Sequence, residues 1–185
     1  MKVLLRLTFP LLFLLLAGVA SGQQRSSNCA PSVLPADLSD ALKSQFPGWR
    51  IKTTDDLASY HQKLWAESKP KACPGIASGH FLNPTKQTFA LLLVPDTPGK
   101  NGYKVVVFAR SDGKPGVTPT VIEEAKDHSS ARVVIYRVPP GLYKDPENTR
   151  RVRIRLDGIQ VEEMEAAASL YFWRNGYFHY LLTSE

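Results

Sequence analysis

The run FALLLVP, residues 89–95, constrains the fold more than any other stretch of the chain. Phe, Ala, three Leu and Val follow one another without a polar interruption. Successive side chains of a strand leave opposite faces, so a strand built from this run is apolar on both. It is therefore consistent with a strand buried on both sides rather than one lying at the surface. YKVVVFARSD and ARVVIYRVP are likewise rich in β-branched and aromatic residues. VTPTVIEEA is a weaker strand, because Pro119 has no N–H to give a ladder and so belongs at an edge or a bulge. RRVRIRLDG alternates cleanly, with Val152, Ile154 and Leu156 opposite Arg151, Arg153 and Arg155. The chain beyond Cys73 thus reads as β, with DTPGKNG, SDGKPG and VPPGLYKDPEN as connections.

Ahead of Cys73 the spacing becomes helical. LPADLSDALKSQF places Leu38, Ala41, Leu42, Gln45 and Phe46 at helical spacing, with Pro35 near the start and Pro47 and Gly48 as a stop. WRIKT reads as a short strand. TDDLASYHQKLWAESK predicts a second helix, with Thr54 as N-cap, Asp55 and Asp56 in its first turn, and Leu57, Tyr60, Leu64 and Trp65 as its apolar stripe. The expected fold is α+β, with two N-terminal helices packed on a mostly antiparallel β-meander of about seven to eight strands.

The first residues predict the compartment. MKVLLR carries positive charge, LTFPLLFLLLA is apolar and GVASG is small, the three-part pattern of a secretory signal peptide over residues 1–22, with cleavage after Gly22 or Ala20. The apolar run is shorter than the ~20 residues that a spanning helix needs, so no stable membrane span is expected after cleavage. A periplasmic or extracellular location follows. Residues 23–33 read as a flexible lead-in and 34–185 as a single globular domain, expected to be monomeric. Removal of Lys2 and Arg6 with the leader leaves 21 basic against 17 acidic side chains, a net charge of +4. Nucleic acid is not an expected partner for an exported chain, whereas an unknown protein or an anionic cell-surface polymer is. The only cysteines, Cys29 and Cys73, are expected to form a disulfide, which would stabilise the fold by roughly 4 kcal/mol through loop closure. Paired, neither is a nucleophile.

The stretch GHFLNPTKQTFALLLV keeps Gly79, Phe81, a polar loop from Asn83 to Thr88 and the apolar run that follows. In these positions it resembles the calcium-loop strand of FG-GAP/VCBS-type β-repeats in exported proteins. The closing SLYFWRNGYFHYLLTSE looks like the terminal hairpin of uncharacterised exported proteins that carry such a strand. The resemblance implies no established activity. It also departs where calcium would need carboxylates, since His80, Leu82, Pro84 and Thr88 occupy those positions. A degenerate or unrelated hairpin without metal is expected, and no cofactor.

Asn175-Gly176 between two aromatic runs predicts a type I′ hairpin that pairs Trp173 with Phe178 and Tyr171 with Tyr180 on one face. Phe172 and His179, with Leu170 and Leu181, share the other. Such a hairpin closes a core, with Trp173 largely buried, or serves as a binding platform. Tyr171, Tyr177 and His179 are its candidate contacts. Arg151, Arg153 and Arg155 would line one face of a strand at ~7 Å intervals, a spacing that can grip phosphates or uronic acids or simply discourage edge pairing. Zinc-ligand spacings, a nucleotide-binding loop and a nucleophile elbow are lacking. The leading expectation is a non-catalytic binding or interaction protein. The alternatives are a hydrolase drawing on His80, His179 and Glu163, or an inhibitor of an extracellular enzyme such as a lysozyme, against which the basic charge counts.

Overall fold

The computed structural model describes Cys29 and residues 33–110, 116–146 and 151–184. The leader expected over residues 1–22 lies outside the described residues, as does the lead-in apart from Cys29 and Val33. The first half contains helices α1 (Ala36–Gln45) and α2 (Ser59–Ser68) and strands β1 (Trp49–Ile51), β2 (Ile76–Asn83), β3 (Lys86–Pro95) and β4 (Tyr103–Arg110). Strands β5 (Val117–Ala125), β6 (Val133–Val138), β7 (Gly141–Lys144), β8 (Arg151–Ile154), β9 (Gly158–Glu163), β10 (Ala167–Arg174) and β11 (Tyr177–Ser184) complete the chain.

Every strand pairing is antiparallel. One sheet runs β1-β3-β4-β5, and β2 also pairs with β3. Because β3 is long, β1 and β2 share one edge of it, β1 opposite residues 93–95 and β2 opposite residues 86–91. The second sheet runs β11-β10-β9-β6, and β7 and β8 form a separate ribbon.

The two larger sheets pack face to face. Ala90, Leu92, Val94, Val105 and Val107 of the first meet Val133, Ile135, Ile159 and Val161 of the second, with Phe81 fully buried between them. Leu91, Leu93, Val106 and Phe108 leave β3 and β4 on the other side and pack under Leu38, Ala41 and Leu42 of α1. The disulfide between Cys29 and Cys73 lies in this same cluster. On the outer face of the second sheet, α2 covers Val134 and Met164 through Trp65. The β7–β8 ribbon covers Leu170, Phe172 and Leu181 through Val152 and Ile154.

The antiparallel α+β character agrees with the sequence reading, but the arrangement does not. Among the described residues, eleven strands in three sheets replace the single meander of seven to eight, and the two helices lie against different sheets. The physical reason is β3: a strand apolar on both faces needs a layer on each side. The connection VPPGLYKDPEN hides β7, whose four residues gain their order from pairing with β8. The second helix begins at Ser59 rather than near Thr54, which instead opens a 3₁₀ turn, Thr54–Asp56, capped by Thr53. Asp56 is drawn out of a helical role because Arg50 grips its carboxylate at 2.5 and 2.7 Å and the Thr53 amide donates to it at 2.7 Å. Tyr60, expected in the apolar stripe, is exposed, while Leu57 and Trp65 are buried.

Lys52, unremarkable in sequence, is fully buried. Its ammonium donates to the carbonyls of Ser130 at 2.6 Å and Asp56 at 3.2 Å, joining the 3₁₀ turn to the β5–β6 connection. Burial pulls its pKa down to about 8, with the Asp56 charge opposing. The two carbonyls that hold the ammonium make it a structural tie between these segments.

The C-terminal hairpin has the expected register, with Asn175 and Gly176 both at positive φ. The buried aromatic is Phe172, however, and Trp173 is only half-buried. Phe172 faces Val152 and Ile154, whereas Trp173 leaves the opposite face near the hairpin tip, where its ring meets Phe178 at 5.2 Å. Phe172→Ala is therefore expected to cost about 3–5 kcal/mol, the range for aromatic truncation in a core, and Trp173→Ala clearly less. Denaturant midpoints of the two variants check the order. Equal losses would place Trp173 in the core after all.

Candidate anion-binding groove

The alternation RVRIRL divides β8 by the rule that governs every strand here. Val152 and Ile154 are driven into the cluster with Leu170, Phe172 and Leu181, which turns Arg151 and Arg153 outward. Arg155, just beyond the strand, continues the exposed series. Covering the second sheet brings β8 beside the tip of the β10–β11 hairpin, and a groove of about 820 Å³ separates the two. Arg151, Arg153 and Arg155 line one wall, and Trp173, Arg174 and Asn175 line the other. Arg174 joins the arginine strand only in the folded protein. Its position on the far wall comes from the Asn175-Gly176 turn, and no spacing in the sequence announces it.

Eight arginines lie among the described residues, and they fall into two groups. Arg50 is paired with Asp56, Arg110 with Asp37, Arg132 with Glu163 and Arg137 with Asp157, at 2.5 to 3.4 Å. Among the described residues, Arg151, Arg153, Arg155 and Arg174 have no carboxylate partner and no acidic side chain lines the groove. The register adds to the imbalance, because Lys144 of β7 stands directly opposite Arg151 with both side chains exposed. Like charges directly opposite on a ribbon destabilise it. An anion held between the two walls would satisfy guanidinium donors from both sides with charge-assisted, paired hydrogen bonds.

The other sequence candidates separate. Tyr177 is 55% exposed and lies 4.2 Å from the His179 ring, on the face that also carries Phe172 and Arg174. His179 stacks on Phe172 at 5.5 Å and its Nε2 meets the Arg174 carbonyl at 3.2 Å, so these two aromatics adjoin the base of the Arg174 wall. Tyr171 points the other way, into the gap between the sheets. Burial first, then the charge of Glu123, pushes its phenol far up, so it stays neutral and is no surface contact. The expected set Tyr171, Tyr177 and His179 is therefore not one platform.

His80, His179 and Glu163 also remain apart, each with its own partners. The His80 amide donates to Asp157 at 2.8 Å and its ring lies 3.6 Å from the same carboxylate, while Arg137 approaches from the other side at 3.4 Å. Asp157 is buried and ties β2 to the turn before β9. Gly79 permits this approach, since a Cβ there would meet Arg137 Cδ at 2.8 Å and Asp157 Oδ2 at 2.9 Å. No hydroxyl joins the His80–Asp157 pair among the described residues. Glu163 is held by Arg132 at 2.7 Å and His128 at 3.3 Å. The calcium-like stretch is a plain β2–β3 hairpin, turned at Pro84 and Thr85, where Asn83 Oδ1 accepts from the Thr85 amide at 2.9 Å and its hydroxyl at 2.8 Å. No cluster of three or more metal-ligating side chains occurs among the described residues.

No family model matches the chain, and neither a curated protein nor a solved structure matches it.

The uncompensated ribbon has a consequence for stability. Arg151→Gln removes one member of the Lys144–Arg151 opposition and is expected to raise stability at low ionic strength by about 0.2–1 kcal/mol, the span of cross-strand pair energies. The gain should shrink near 1 M salt, where the Debye length is only ~3 Å. Denaturant midpoints at both salt concentrations decide it, and a salt-independent loss of stability would mean that Arg151 is neutralised in the fold.

Proposed function

We propose that this is an exported, non-catalytic binding protein that holds an anionic partner in the groove between β8 and the β10–β11 tip. The observation that carries the reading is the division of the eight described arginines: four are neutralised by carboxylates of the fold, and the four around one groove have no carboxylate partner among the described residues. Natural surfaces commonly intersperse both signs of charge, and a concentration of one sign on two facing walls is the arrangement that attracts and orients an opposite charge. Export is supported by the leader-like first residues and by the disulfide, which belongs to an oxidising compartment. No helix among the described residues is long and apolar enough to cross a membrane. Binding without turnover is the simpler reading, because His80, His179 and Glu163 each keep separate partners and none of the three lines the groove.

Calorimetric titration with polygalacturonate, a carboxylate polymer, tests the proposal. Binding is expected at low ionic strength and should weaken steeply as salt is added. Arg153→Ala should weaken it about fivefold, or ~1 kcal/mol, for loss of one charge-assisted contact. Arg110→Ala, which removes a cation engaged with Asp37, should change it little. Equal effects of the two substitutions would reduce the interaction to net charge and remove the groove from the account.

A further inference from the structure

The groove offers more than charge. Every residue from 151 to 156 lines it, although Val152 and Ile154 point into the core beneath the ribbon. Alternate side chains of a strand leave opposite faces, so a groove touching all of them runs along the strand's edge rather than across one face. Among the described residues β8 pairs with β7 alone, which leaves the opposite edge, turned toward the groove, without a strand partner there. An open edge presents backbone N–H and C=O groups in a fixed sequence, and proteins either shield such an edge or use it to take up another extended chain.

Charge and edge together select the occupant. From this geometry we propose that the groove receives an extended acidic peptide segment, which adds as a third strand to the β7–β8 ribbon. The proposal rests on the anion-binding reading above and names the partner class for the same site. Arg151, Arg153 and Arg155 recur at every second residue, and an added strand has the same two-residue period. Acidic residues at alternate positions of the partner would therefore lie beside the three guanidiniums, with Arg174 on the far wall closing over them. The intervening partner residues would fall on the side of β8 that carries Val152 and Ile154, against Phe172, which also lines the groove. A second copy of this chain is disfavoured, because pairing β8 with β8 would bring arginine against arginine. An acidic polysaccharide would satisfy the charges but has no backbone amides in strand register to meet the open edge.

Fluorescence anisotropy with the intact protein tests this, using a labelled octapeptide that alternates glutamate and valine. Two further versions are N-methylated at alternate residues, one in each register, so that each has one edge blocked. The glutamate–valine peptide is expected to bind at low salt, and the lysine–valine counterpart is not. One N-methylated register should bind about tenfold more weakly and the other like the parent, because strand addition uses one edge only. Arg153→Ala should weaken the parent peptide about tenfold while leaving the melting temperature intact. Loss of binding in both methylated registers, or in neither, overturns strand addition. So does equal binding of the lysine peptide. If polygalacturonate binds in an Arg153-dependent way and the peptide does not, the anion groove stands and the peptide proposal falls. If neither ligand depends on Arg153, both fall.

Discussion

Burial of β3 on both faces is the constraint from which the rest of the molecule follows. Ala90, Leu92 and Val94 must be covered on one side and Leu91 and Leu93 on the other, and one sheet with helices on a single face cannot do both. The second sheet takes the first task and α1 with the disulfide takes the second. The second sheet then has an outer face of its own, with Val134, Leu170, Phe172 and Leu181, and that face must be covered in turn. Helix α2 reaches one end of it and the β7–β8 ribbon reaches the other. The ribbon therefore exists to bury Phe172 and its neighbours, and its position is dictated by packing.

That placement creates the functional opportunity. A two-stranded ribbon set on a sheet presents one face inward, one face outward and an outer edge on each strand, and that of β8 borders the groove. With valine and isoleucine inward, outward-facing arginines cost the core nothing, and the nearby hairpin tip supplies a second wall bearing Arg174. The fold neutralises the other four described arginines with carboxylates, down to the bidentate grip of Arg50 on Asp56. The Lys144–Arg151 opposition shows that around the groove it tolerates repulsion instead. Surface charge that only maintained solubility would not need to be gathered on both walls of one cleft.

The features legible in sequence are those set by local chemistry. The two-sided apolar run became β3, the Asn175-Gly176 turn gave the expected register, and Pro119 sits on the edge strand β5, in regular register opposite Phe108. The outward arginine series was also visible, since alternation fixes a face without reference to the rest of the chain. What escaped detection depends on contacts distant in sequence. β7 is ordered by pairing with β8 across a Pro-rich connection. The helix before α2 is broken because Asp56 answers to Arg50. Lys52 is buried because two carbonyls from separate loops converge on it. Phe172 rather than Trp173 became the core aromatic because the ribbon lies on its side of the hairpin. Arg174 entered the site in the same way, through the meeting of two hairpins.

Side-chain NMR of the arginine Nε–Hε groups, followed while a short oligogalacturonide is titrated at low salt, tests the central claim most directly. The claim is that unneutralised guanidiniums on facing walls constitute the binding site. It predicts progressive shifts for Arg151, Arg153, Arg155 and Arg174, while Arg50, Arg110, Arg132 and Arg137 keep their positions because carboxylates of the fold already hold them. Shifts spread evenly over all eight, or confined to the second group, would contradict it.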